Sequence, residues 1–192
     1  MNYLARVATY VVAVSALLFA ANADAARKAK DLLQYIPADT PYVMAFTKPL
    51  PDDVMDKFEP AVDKSLSAYR RIMQYSMAEA MVDLASEEGG AEKAEQLQAM
   101  TDEIIGLMSV KGLRDAGIGR DALMAIYGDG LLPVFRIALS DSAQFDAAIA
   151  RLEAKAPEKL PTASLQGTEY RYFDLEKMRV IIATLENDAV IT

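Results

Sequence analysis

The chain has no histidine and no cysteine among its 192 residues. That removes the Ser-His-Asp and Cys-His arrangements of nucleophilic catalysis. It also removes zinc sites built on imidazole or thiolate, and the side chain that most often moves protons near neutral pH. Carboxylates, tyrosines, lysines and serines are left, with neither Ser-x-x-Lys nor Gly-x-Ser-x-Gly to organise them. The acidic pairs Asp52/Asp53, Glu87/Glu88 and Asp102/Glu103 are the nearest thing to an acid–base or cation site. Adjacent carboxylates on a helix point to different sides, and no Asp-x-Asp-x-Asp-Gly loop frames a calcium ion. They fit solvated helix ends better than a site. A carboxylate-dependent hydrolase is therefore the least favoured of three functional readings.

Three other patterns have a chemical reading. Met73, Met77 and Met81 repeat every fourth residue, in line with Tyr69. Thioethers suit Cu(I), and a methionine surface adapts to an apolar ligand or partner helix. The same stripe runs on through Leu66, Val62 and Leu84, which is how the core of a helical hairpin looks. Tyr69, Met73, Met77 and Met81 are the candidate apolar surface. Gly117-Ile-Gly119-Arg-Asp-Ala122 matches Gly-x-Gly-x-x-Ala, but a dinucleotide site needs a strand before it and a helix after it. The expected order here is the reverse. Tyr170 and Tyr172 alternate with Arg171, as a contact patch or as ordinary sheet packing. No catalytic, cofactor or metal residue is assigned.

The elements that hold these residues follow from periodicity. Residues 42–47 alternate after Pro41 and predict a strand. Asp52 can cap a helix. Pro60 predicts a break, with a short helix to about Phe58 and a new one from Pro60. Apolar steps of three and four then run from Val62 to Leu84. After Ser86-Glu87-Glu88-Gly89-Gly90 they resume through Leu97, Met100, Ile104 and Leu107/Met108. This is a helical hairpin over about residues 52–109.

Residues 122–155 read as strand, turn, strand, helix. Gly128-Asp129-Gly130 makes the turn, and Leu131-Leu132-Pro133 predicts a connection longer than two residues. Asp141 is placed to cap the helix, with Gln144 three residues on. Residues 161–167 are predicted to be loop, and strands follow at 168–173, 178–184 and 189–192. Short links make the pairing antiparallel. The expectation is one α+β domain, an antiparallel sheet with helices packed on one face.

The first 25 residues are a targeting pattern rather than fold. Arg6 precedes an apolar run of about 15 residues, short of the roughly 20 that span a bilayer. Ala23 and Ala25 then place small residues for signal cleavage after Ala25. Loss of Arg6 and Asp24 together leaves the net charge of −8 unchanged. Such a chain repels nucleic acid and anionic membrane surfaces. The domain expected is residues 26–192, periplasmic or extracellular, with no membrane span after processing and no cofactor. The last residues, Ala189 to Thr192, look like an unfinished strand at an unprotected sheet edge. The sequence thus predicts truncation at the C-terminus and a product prone to aggregate or fray there.

Tyr35-Ile-Pro-Ala-Asp-Thr-Pro-Tyr-Val-Met-Ala-Phe46 and Ile126-Tyr-Gly-Asp-Gly-Leu-Leu-Pro-Val-Phe-Arg-Ile-Ala-Leu139 resemble a loose group of exported bacterial proteins of uncharacterised function. In that group a Pro-Ala-Asp-Thr opening leads into a first strand. The resemblance implies a periplasmic or surface-associated α+β protein and transfers no catalytic residue. The expectation is a non-enzymatic binding or assembly role with an envelope partner. The alternative is a carrier of an apolar ligand held between hairpin and sheet.

Overall fold

The computed structural model describes residues 32–86, 90–130, 132–156, 159–175 and 178–192. The signal-peptide reading and Glu87/Glu88 lie outside the described residues. Strand β1 (Val43–Phe46) leads to a long helix α1 (Asp52–Ala85), then α2 (Gly90–Leu107) and a short α3 (Val110–Asp115). Strands β2 (Met124–Asp129) and β3 (Leu132–Ala138) follow, then helix α4 (Ser142–Lys155). Four strands close the order: β4 (Thr162–Leu165), β5 (Thr168–Leu175), β6 (Met178–Leu185) and β7 (Asp188–Ile191).

All seven strands form one antiparallel sheet, in the order β1-β2-β3-β7-β6-β5-β4. The α+β expectation is met. One face of the sheet carries Met124, Ile137, Ile182 and Ala189 against Phe145 and Ile149 of α4, with Ile118 beside them. Thr184 donates to Asp146 of α4, and Arg171 to Glu153, both at 2.9 Å, on the same face. The hairpin of α1 and α2 stacks over α4: Met73, Met77, Leu97, Met100, Ile104 and Met108 form its core, and Leu152 of α4 packs against them. Glu103 of α2 ties the layers together by accepting from Arg151 and Lys155 of α4. The opposite face of the sheet carries Ala125, Tyr127, Val134 and Val190, covered by Leu32 and Ile36.

Five expectations are corrected. Helix α1 runs unbroken through Pro60. A proline in a helix interior costs about 3 kcal/mol, and here tertiary contacts on both sides offset it. Met55 on one side of Pro60 and Val62 and Leu66 on the other are buried. Arg120 pairs with Asp56, and Arg114 with Glu59, so the first turns of the helix are held to the body. The helix also starts at Asp52 itself, with Pro51 in the cap position and no side-chain cap.

The β2–β3 connection is a two-residue loop, since Asp129 pairs with Leu132. Gly130 supplies the positive φ of 59°. Pro133 sits inside β3 opposite Gly128. Its missing N–H faces away from β2, on the side where the β3–β7 register begins only at Phe135, so no ladder bond is lost.

Residues 162–165 are a strand rather than loop. The turn at Gln166 and Gly167, with φ of 52° and 83°, folds Thr-Ala-Ser-Leu back on β5 as the sheet's far edge. Finally, β7 is not an edge. It lies between β3 and β6, and Thr192 and Ile181 exchange two further backbone hydrogen bonds at 2.7 and 3.1 Å. The unprotected edge behind the expected aggregation does not exist at β7, because the chain inserts its last described strand between two already separated ones.

Candidate functional site

The most strongly assembled polar group lies on the sheet face turned away from α4. Alternation along β3 places Arg136 on that face between Val134 and Ala138, and Asp188 opens β7 on the same face. The Arg136 Nε donates to the Asp188 carboxylate at 2.6 Å, with the two side chains 3% and 1% exposed. The Tyr35 ring lies over the guanidinium, 3.5 Å from its centre, and its hydroxyl donates to Glu186 at 2.9 Å. Glu186 is aimed there by the tight β6–β7 turn, where its own φ is 56°. Tyr127 is buried nearby on β2, and burial holds its hydroxyl pKa above the ordinary value, partly countered by the Arg136 charge.

The N-terminal lead-in is what brings Tyr35 into position. The Ile36 N–H donates to the Leu33 carbonyl at 3.1 Å, and Leu32 and Ile36 pack into the apolar cluster of this face. The guanidinium is thus clamped by a carboxylate at its edge and an aromatic ring on its face, while one terminal nitrogen has no partner among the described residues. This group fastens residues 32–36 across the sheet. A charge within the apolar run Val134-Phe135-Arg136-Ile137 is the sequence signal for it, because arginine is rarely buried unpaired. Asp188 is indistinguishable in sequence from an ordinary turn residue.

A second feature is exposed. Helix α1 buries Met73 and Met77 to 1%, yet its far side also carries large apolar groups: Ile72 is 52% exposed, Tyr75 85% and Val82 70%. They fall with Ala61 and Ala68 on one stripe, at helical spacing, on the side opposite the methionines. Exposed Lys57 and Lys64 punctuate the N-terminal half of the stripe, and exposed Glu79 and Asp83 the C-terminal half.

The residues singled out from sequence are placed as follows. Met73 and Met77 face α2 inside the hairpin core, with Tyr69 and Met81 packed against it. This side of α1 is filled by the protein itself. Asp102 and Glu103 diverge: Asp102 accepts from Gln98 at 2.8 Å, whereas Glu103 turns to Arg151 and Lys155. Those two cations hold the Glu103 carboxyl below its ordinary pKa. Asp52 and Asp53 occupy the first turn of α1. Among the described residues no cluster of three or more carboxylates could hold a metal ion.

Gly117, at φ 78°, follows a helix and docks on the start of α4. Its carbonyl accepts from the Ser140 N–H and hydroxyl at 2.8 and 2.9 Å, so this glycine is a brace. Tyr170 and Tyr172 lie 6.3 Å apart on β5, and Arg179 covers Tyr172 at 4.1 Å. Arg171 points to the other face, toward α4. No helix among the described residues is long and apolar enough to cross a membrane. No family model matches the chain, and neither a curated protein nor a solved structure matches it significantly.

Proposed function

We propose that this is an exported protein of the cell envelope that works by binding or assembly rather than by turnover. The observation that carries the reading is the outward stripe of α1. A helix whose inner face is already packed presents Ile72, Tyr75 and Val82 to solvent, and contiguous exposed apolar groups rimmed by charge mark interaction surfaces. The signal pattern ending at Ala25 supports export, as does the resemblance of residues 35–46 and 126–139 to exported proteins. The missing histidine and cysteine, and the commitment of Glu103, Glu59 and Asp188 to ion pairs, support a role outside catalysis. The acidic balance weighs against nucleic acid as a partner.

A photo-crosslinking residue at position 75, introduced into the full chain in producing cells, tests the reading. The expected result is a discrete adduct in the envelope fraction from position 75, and none from exposed position 111 on α3. A chain recovered in the cytoplasm, or no adduct at 75, refutes it.

A further inference from the structure

The stripe on α1 has a polarity that selects its partner. Its N-terminal half carries Lys57 and Lys64, its C-terminal half Glu79 and Asp83, and the apolar residues Ile72 and Tyr75 sit between them. None of these four charges makes an ion pair with another described residue. A helix of the same sequence laid alongside in parallel would set like charge against like. Laid antiparallel, it sets the basic half of each against the acidic half of the other.

We infer that a second copy of this chain docks antiparallel on the outer face of α1, Ile72 of each copy packing on Tyr75 of the other. This deepens the binding reading above and rests on it. The register follows from the helix. With Ile72 opposite Tyr75, Lys64 of one copy faces the turn that holds Glu79 and Asp83 of the second. Ala68 then lies opposite Glu79, and Ala61 opposite Ser86. The small residues at 61 and 68 let the backbones approach, and the contact extends over roughly 40 Å of helix at 1.5 Å per residue. The interface is isologous, so one patch serves both copies and the pair closes on itself. Because Met73 and Met77 remain on the inner face, the hairpin core is undisturbed.

The test uses the full exported chain and charge reversal. Lys64→Glu alone sets three carboxylates together in each contact, and the pair Glu79→Lys with Asp83→Lys alone sets three lysines together. Each variant by itself is expected to self-associate at least roughly tenfold more weakly in sedimentation velocity, since like-charge juxtaposition is costly. An equimolar mixture of the two is expected to recover the native affinity as a heterodimer, because both contacts are then complementary. Positions 64, 79 and 83 are exposed, and a native far-UV circular dichroism spectrum confirms that each variant folds.

The chain has no cysteine, which permits a direct check of orientation. Ala61→Cys chains mixed with Ser86→Cys chains should form a disulfide-linked heterodimer, and neither alone should. A native chain that stays monomeric, variants that associate as the native chain does, or a mixture that does not recover would overturn the second-copy inference. If position 75 still crosslinks to a different envelope protein, the inference falls and the binding reading stands. If the chain is monomeric and position 75 captures nothing, both fall.

Discussion

Removing one partner of the Arg136–Asp188 pair should be among the most damaging single changes this protein can suffer. Asp188→Asn keeps the size of the side chain and removes its charge. The guanidinium, 3% exposed, then loses its counter-charge and keeps, among the described residues, at most a neutral amide acceptor and the Tyr35 ring. Breaking a buried ion pair in this way costs about 3–5 kcal/mol. A urea m-value near 2 kcal/mol per molar is typical, which turns that cost into a midpoint shift of about 1.5–2.5 M. Arg136→Met with Asp188→Leu removes both charges, and should lie closer to the native chain than Asp188→Asn does, because apolar replacement of a buried pair is often close to neutral. Tyr35→Leu should cost less, about 2 kcal/mol for a desolvated cation–π contact. Equilibrium urea unfolding followed by far-UV circular dichroism measures all three. A shift below about 0.5 M for Asp188→Asn, or a double variant no better than the single, would refute the claim that the pair is buried and coupled.

Met77→Ala, at a position 1% exposed in the hairpin core, should cost about 2–5 kcal/mol, measurable in the same titration; a change within 0.5 kcal/mol would mean the stripe is not packed. Pro60→Ala should stabilise the chain, by up to about 3 kcal/mol, because it restores an N–H where α1 already runs unbroken; calorimetry should show a higher Tm. Glu103 has its pKa lowered by Lys155 and Arg151, so its contribution is complete above the ordinary glutamate value of about 4.3 and disappears as pH falls through the depressed one. Glu103→Gln should therefore narrow the stability gap between neutral pH and pH 3 relative to the native chain, and an unchanged gap would show that the clamp between α2 and α4 contributes nothing.

Local sequence determined much of this architecture, for reasons that act over a few residues. The stripe from Val62 to Leu84 has a helical period, so α1 and its methionine face were legible. The capping of α4 was legible too: the Asp141 carboxylate accepts from the Gln144 N–H at 3.1 Å, as the spacing requires. The apolar runs around Ile126, Phe135 and Ile181 gave the central strands, and the absence of histidine and cysteine removed whole classes of chemistry.

What tertiary structure alone decided is what depends on partners far along the chain. Pro60 stays helical because Arg114 and Arg120, more than fifty residues away, hold the turns around it. Thr162–Leu165 is a strand because β5 offers it an edge, not because its own residues demand extension. Strand β7 is central because the β4–β7 meander returns to β3, a pairing that no local period encodes. Arg136 shows the same limit. Its charge within an apolar run is a signal that the sequence reading passed over, and Asp188 and Tyr35 were chosen by the fold, which brings residues 52 and 101 positions apart within reach of one guanidinium.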